Sequence, residues 1–227
     1  MNKLIHLFGY GSLMATPEND HKVVSQTAAL LTGYGRSFNK RSPVRGCPKS
    51  DAFMAFESPM PGFISDEHVA SLAVGTEANN SVLFGILVSY RAEAESDMLN
   101  ITDKREGFDA NSNSARLGYL RKQVTVNEQA TGQALPAWVY LSNPDGPYHL
   151  VDTAPLETRA KILINATPRP GTPSSVGGRA LGLHYLEQIR HGLATHGVID
   201  IAMEKMAEAV LDHPGPWQSM LSIPKNS

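Results

Sequence analysis

Runs of continuous apolar residues, alternating stretches and helically spaced apolar positions follow one another along this chain, and each predicts a different element. LIHLF (4–8) is a short continuous apolar run, the pattern of a buried strand, and it stops at Gly9 to Ser12. Pro17, Glu18, Asn19 and Asp20 break the pattern again. Residues 23–42 then carry strand-like pieces around Gly33 and Gly35, and residues 43–81 read as loops around weak strands at AFMAF (52–56) and VASLAV (69–74). SVLFGILVSY (81–90) predicts a buried strand in which Gly85 admits a close neighbouring backbone. Residues 92–106 lack proline and glycine and predict a helix ending near Gly107, with Met98, Leu99 and Ile101 as its apolar positions.

The second half is mostly helical after one strand pair. YLRKQVTV (119–126) and ALPAWVYLS (134–142) predict adjacent strands, the latter ended by the turn sequence NPDGP. Residues 157–167 predict a helix, and three prolines with three glycines make 168–178 a loop. Two closing helices, 180–196 and 199–213, place Leu183, Leu186, Ile189 and Leu193, then Val198, Ile201, Met206 and Val210, at helical spacing for a core. With no repeat, low-complexity tract or linker, residues 1–227 read as a single α+β domain.

Charge narrows the partners. Twenty Lys+Arg against 22 Asp+Glu leave a formal charge of −2, so no global field recruits nucleic acid or an anionic membrane, and small neutral or zwitterionic molecules are the expected partners. Cys47 is the only cysteine, which forbids an intrachain disulfide and makes a reducing cytoplasm the expected compartment. The opening MNKLIHLFGYG is too short and interrupted for a signal peptide or membrane span. His184 and His191 share a helix face, but no third ligand accompanies them and there is no HExxH or cysteine-rich pattern, so no metal and no cofactor are expected.

FGYGSLM (8–14) is the motif most suggestive of chemistry. A dinucleotide fingerprint needs a third glycine where Met14 stands, and a nucleophile elbow needs glycines where Tyr10 and Met14 flank Ser12, so both fail. Two readings stay open from the residues: a plain turn, or a strand end whose glycines let successive N–H groups cradle an anion.

FGYGSLM, GRSFNKRSPVRGCP (35–48), KREG (104–107), GYLRKQVTV (118–126) and AWVYLSNPDGPY (137–148) occur in an order that resembles the ChaC-type γ-glutamylcyclotransferases. AKILINA and HYLEQIRHGLATHGVID are similar to the closing segments of that family, so the resemblance spans most of residues 5–200. It implies a small mixed β-barrel flanked by helices, with a pocket over the barrel end. It further implies a lyase that cleaves glutathione to 5-oxoproline and Cys-Gly, the α-amine attacking the γ-carbonyl intramolecularly. By the same resemblance Gly9, Tyr10, Gly11, Ser12, Leu13 and Met14 bind the γ-glutamyl group, and Glu106 is the general base.

Arg45 and Arg41 are candidates for a substrate carboxylate, with surface salt bridges as the equal alternative. Tyr140 and Tyr185 line the pocket by family analogy, or serve as core. Two stretches depart from the family: FDANSNSARL (108–117) is longer than usual and reads as a mobile lid, and Val44, Arg45, Gly46 stand in place of His-Arg-Gly. Alternative readings are therefore a cyclotransferase for other γ-glutamyl amines or amino acids, and a non-catalytic protein that binds a γ-glutamyl metabolite. Either a monomer or a homodimer is compatible with the sequence.

Overall fold

Strand β1 (Leu4–Gly9) is the apolar run LIHLF plus its first glycine, with Leu7 and Phe8 fully buried. A computed structural model describes residues 3–14, 22–48, 68–115, 118–151 and 153–221; the strand expected at 52–56 lies outside these residues. Strands β2 (Val23–Pro48) and β3 (His68–Arg91) are long. Helix α1 (Glu95–Glu106), strands β4 (Phe108–Asp109) and β5 (Ser114–Ala115), and the pair β6 (Tyr119–Glu128) and β7 (Ala134–Ser142) follow. The order β1-β3-β2-β6-β7 closes into a barrel, with β1 antiparallel to β3 and joined in parallel to β7 at Leu7 and Trp138. Helices α2 (Leu156–Asn165), α3 (Gly182–Ala194) and α4 (Ile201–Leu211) complete the described elements, with the small hairpin of β8 (Ser175–Val176) and β9 (Arg179–Ala180) between α2 and α3. The α+β class is as the residue pattern predicts, and the barrel is as the family resemblance implies.

The chain divides into two compact units: residues 1–37 with 74–149, and 38–73 with 150–227. In the first, Leu7, Phe8, Leu83, Leu87, Tyr90, Met98, Val126 and Val139 are at most 1 % exposed and form the apolar core. Gly85 behaves as its position in the strand predicts: a Cβ there would lie 2.5 Å from the Gly9 carbonyl oxygen and 2.5 Å from Phe8 Cζ, so β1 approaches β3 only because residue 85 has no side chain.

Several expectations are corrected. Residues 68–81, read as loop and weak strand, belong to the continuous β3. Residues 78–81 of the polar TEANNS stretch are exposed, while Thr76 at its start is buried with its hydroxyl accepting from the Ser142 N–H at 3.0 Å; Gly35 of β2 sits against the Asn79 side chain, since a Cβ at 35 would be 2.7 Å from Asn79 Nδ2. Polar composition disfavours a strand only where its face must be buried without a hydrogen-bond partner, which is not the case here. The 168–178 loop ends in the β8–β9 hairpin, because Gly177 (φ 57°) and Gly178 (φ 76°) adopt the left-handed conformation that a two-residue turn requires. Of the apolar helix positions, Ile201 is 70 % exposed at the start of α4 and Ile101 is 37 % exposed on α1, so neither is core.

The second unit is built on α2, α3 and α4; Leu163 of α2 is buried, and Leu186, Ile189 and Val210 are buried as predicted. Asp200 caps α4 through Oδ1, which accepts from the N–H groups of Ala202 (3.0 Å) and Met203 (3.2 Å). Arg190, buried on α3, donates Nε (2.9 Å) and Nη2 (2.6 Å) to Glu204 of α4 and also pairs with Glu187. Removing the buried arginine leaves the half-buried carboxylates of Glu187 and Glu204 without their counter-ion, so Arg190→Ala is expected to lower unfolding free energy by about 1 to 3 kcal/mol in a denaturant titration. An unchanged midpoint would show that the pair contributes nothing.

Candidate active site

The glycine loop begins where β1 ends. Tyr10 is buried and its hydroxyl donates to the Tyr140 backbone carbonyl at 2.5 Å, which pins the loop to β7. Residues Ser12–Met14 form one 3₁₀ turn, in which the Met14 N–H donates to the Gly11 carbonyl at 3.0 Å and Leu13 packs inward. A helical turn opens with N–H groups that its own carbonyls do not accept. Gly9 is required by this turn, because a Cβ on it would lie 2.8 Å from Leu13 Cβ. The loop is also clamped from β2: buried Arg36 donates Nε to the Tyr10 carbonyl (3.0 Å) and Nη2 to the Phe84 carbonyl of β3 (2.6 Å).

Glu106 is the last residue of α1, and Gly107 ends the helix in the left-handed conformation (φ 68°, ψ 36°) with its N–H on the Asp103 carbonyl. A carboxylate at a helix C-terminus opposes the macrodipole. The cation that offsets it is its neighbour: Glu106 Oε1 lies 3.4 Å from Arg105 Nε, and Arg105 Nη2 donates to Ser12 Oγ at 3.0 Å. One guanidinium thus spans the glycine loop and Glu106.

One helical turn earlier, Asp103 accepts from the Tyr140 hydroxyl (2.6 Å) and from Arg121 Nη1 (2.6 Å). Arg121 extends from β6, directly opposite Tyr140 in the ladder, with its guanidinium 5.0 Å from the Phe108 ring centroid and 5.2 Å from that of Trp138. Burial, and then the hydrogen bond and charge of Asp103, push the Tyr140 hydroxyl well above the usual phenol range; Arg121 opposes this and Glu106 adds to it. Tyr140 is therefore a neutral donor at any physiological pH.

Of the residues singled out from sequence, Tyr10, Ser12, Glu106 and Tyr140 come together in the first unit. Arg45 and Tyr185 belong to the second. There Arg45 Nη1 donates to the Ala180 carbonyl of β9 (2.6 Å), its guanidinium lies 3.7 Å over the Tyr185 ring, and Tyr185 meets Phe38 edge to face. The stretch expected as a lid contains the β4–β5 hairpin, held by Asp109, which accepts from the Asn111 N–H (3.0 Å) and Ser112 hydroxyl (2.8 Å); residues 116 and 117 are outside the described set. A separate cavity of about 390 Å³ is lined by Lys22, Val23, Val24, Arg91, Glu93 and Ala94 and includes none of these side chains.

Sequence reasoning missed Arg36, Asp103, Arg105 and Arg121. Asp103 stands three residues before Glu106 and so on the same helix face, a spacing visible in the sequence. Nothing local marks Arg36 or Arg121, whose partners are 26 and 18 residues away.

No curated protein matches this sequence. Among solved structures, a selenomethionine-labelled γ-glutamyl cyclotransferase specific to glutathione from yeast aligns with 93% of this chain and 97% of its own, at 15% identity and a TM-score of 0.64. A second structure of a glutathione-specific γ-glutamyl cyclotransferase from yeast covers 92% of this chain and 99% of its own, at 14% identity and a TM-score of 0.58. At such identities the likeness establishes a shared fold. The model of the ChaC-like protein family matches residues 5–213, almost the whole of the strands, loop and helices described above, and the chain belongs to the ChaC-like family.

Proposed function

We propose that this protein is a γ-glutamylcyclotransferase that converts glutathione to 5-oxoproline and Cys-Gly, with Glu106 as the general base. The observation that carries this reading is the Arg105 guanidinium, which touches both Ser12 Oγ (3.0 Å) and Glu106 Oε1 (3.4 Å) and so keeps a carboxylate beside the glycine loop. Family membership and the fold shared with two glutathione-specific cyclotransferases support it.

The chemistry asks little of the protein. Glu106 takes a proton from the substrate's α-ammonium, and the freed amine attacks the γ-carbonyl carbon of the same glutamyl group. The carbonyl oxygen gains the electron pair, with N–H groups of the Gly11–Leu13 stretch as its donors. Collapse of that oxyanion breaks the bond to the cysteine nitrogen, which takes the proton held by Glu106, and the ring nitrogen gives up its second proton, so that a neutral lactam forms and the Cys-Gly amine leaves as an ammonium. The five-membered lactam closes because nucleophile and electrophile share one short chain, so positioning replaces an activated nucleophile. A cytoplasmic location fits this substrate and the single cysteine.

The test is 5-oxoproline release from a panel of glutathione, γ-glutamyl amino acids and γ-glutamyl amines. Glutathione is expected to give the highest kcat/KM. Release from another γ-glutamyl compound alone would correct the substrate but keep the reaction; binding without release from any member would make the protein a γ-glutamyl receptor.

A further inference from the structure

Two carboxylates one helical turn apart on α1 are treated differently by their surroundings. Asp103 is buried and holds both Arg121 and the Tyr140 hydroxyl at 2.6 Å, whereas Glu106 contacts Arg105 Nε at 3.4 Å. Three residues of helix separate their backbones by only about 4.5 Å along the axis, so a cation that serves one is within reach of the other. Other charged groups around the pair are already engaged or directed elsewhere. Glu95 at the start of α1 accepts from Trp138 Nε1 (2.9 Å), and Asp109 on β4 accepts from Asn111 and Ser112. Lys104, also on α1, is exposed.

We propose that Asp103 is a positioning residue: it captures Arg121 and the Tyr140 proton, so that Glu106 is left as the working carboxylate and Tyr140 presents only oxygen lone pairs to the substrate. A carboxylate accepts and never donates, so the single O–H of Tyr140 is committed to Asp103 and its oxygen lone pairs are left as acceptors. An acceptor of that kind suits an α-ammonium, which carries three donors. If Asp103 lost its charge, Arg121 would have Glu106, one helical turn on, as an alternative counter-ion, and a carboxylate paired to arginine holds its proton less tightly and is a weaker base. The inference rests on Glu106 being the base.

The test is the pH profile of kcat/KM for 5-oxoproline release by Asp103→Asn, whose amide oxygen still accepts from Tyr140 but cannot neutralise Arg121. The acidic limb is expected to move down by about one pH unit, with plateau kcat lowered about tenfold. The double variant Asp103→Asn with Arg121→Gln removes the stranded cation and is expected to return the limb to the wild-type position; it also serves if the single variant does not fold. A limb that does not move in Asp103→Asn, or stays displaced in the double variant, overturns the proposal. Glu106→Gln run in parallel separates the two ideas. Full turnover in that variant ends the base assignment, whereas an inactive Glu106→Gln beside an unmoved Asp103→Asn profile ends only the role given to Asp103.

Discussion

Glu106→Gln is expected to lower kcat for 5-oxoproline release by about 10³-fold, within the range that loss of a general base produces, while KM changes by less than about threefold and the fold survives. Glutamine has the same shape and keeps an amide oxygen to face Arg105 Nε, 3.4 Å away in the wild type, so the bridge from Arg105 to Ser12 persists. What disappears is the ability to hold a proton between its removal from the ammonium and its delivery to the departing amine. Stability should be unchanged or slightly higher, because a negative charge in the last turn of α1 costs about 0.3 to 1 kcal/mol against the helix dipole. Steady-state kinetics with a thermal unfolding curve read both effects. Loss of activity accompanied by a large fall in melting temperature would make Glu106 a structural residue and remove it from the mechanism.

Arg36→Leu is expected to damage stability and activity together. Its guanidinium donates to the Tyr10 carbonyl at 3.0 Å and the Phe84 carbonyl at 2.6 Å from a site only 4 % exposed, so leucine leaves two buried acceptors without those donors. Each costs about 1 to 3 kcal/mol, giving a loss of about 2 to 6 kcal/mol in denaturant unfolding. The two carbonyls belong to the glycine loop and to β3, and β3 is where Gly85 already admits the Gly9 oxygen at a separation that no side chain tolerates. Releasing the clamp lets the loop drift, and a displacement of about 1 Å is enough to cost on the order of 10²-fold in kcat/KM. Arg36→Lys, able to reach one carbonyl but not both, should fall between the two. A leucine variant with wild-type unfolding would show that water takes over the arginine's hydrogen bonds.

Elements with a strong local pattern were legible from the chain alone. LIHLF, SVLFGILVSY and the 119–142 pair became β1, part of β3, β6 and β7, because a buried strand is announced by its own apolar run. The exposed part of β3 at 78–81 was not, since a strand held by its neighbour's backbone needs no apolar face and TEANNS carries no strand signal. In the same way the helical spacing of 199–213 was right, while Ile201, the first residue of α4, is exposed: spacing gives a stripe but not where packing begins.

The site divides along the same line. Residue identity by itself determined which groups have the chemistry: a glycine-rich strand end at 8–14, a glutamate beside a helix-ending glycine, and a chain whose motif order belongs to one family. Only tertiary structure decided which of these meet, since Ser12 reaches Arg105 across 93 residues, Tyr140 reaches Asp103 across 37, and Arg45 turns to Ala180 across 135. The physical reason is that a charged side chain takes its role from the partners that surround it. Asp103 and Glu106 are alike as carboxylates, and what separates them is that β6 and β7 deliver an arginine and a tyrosine to the first.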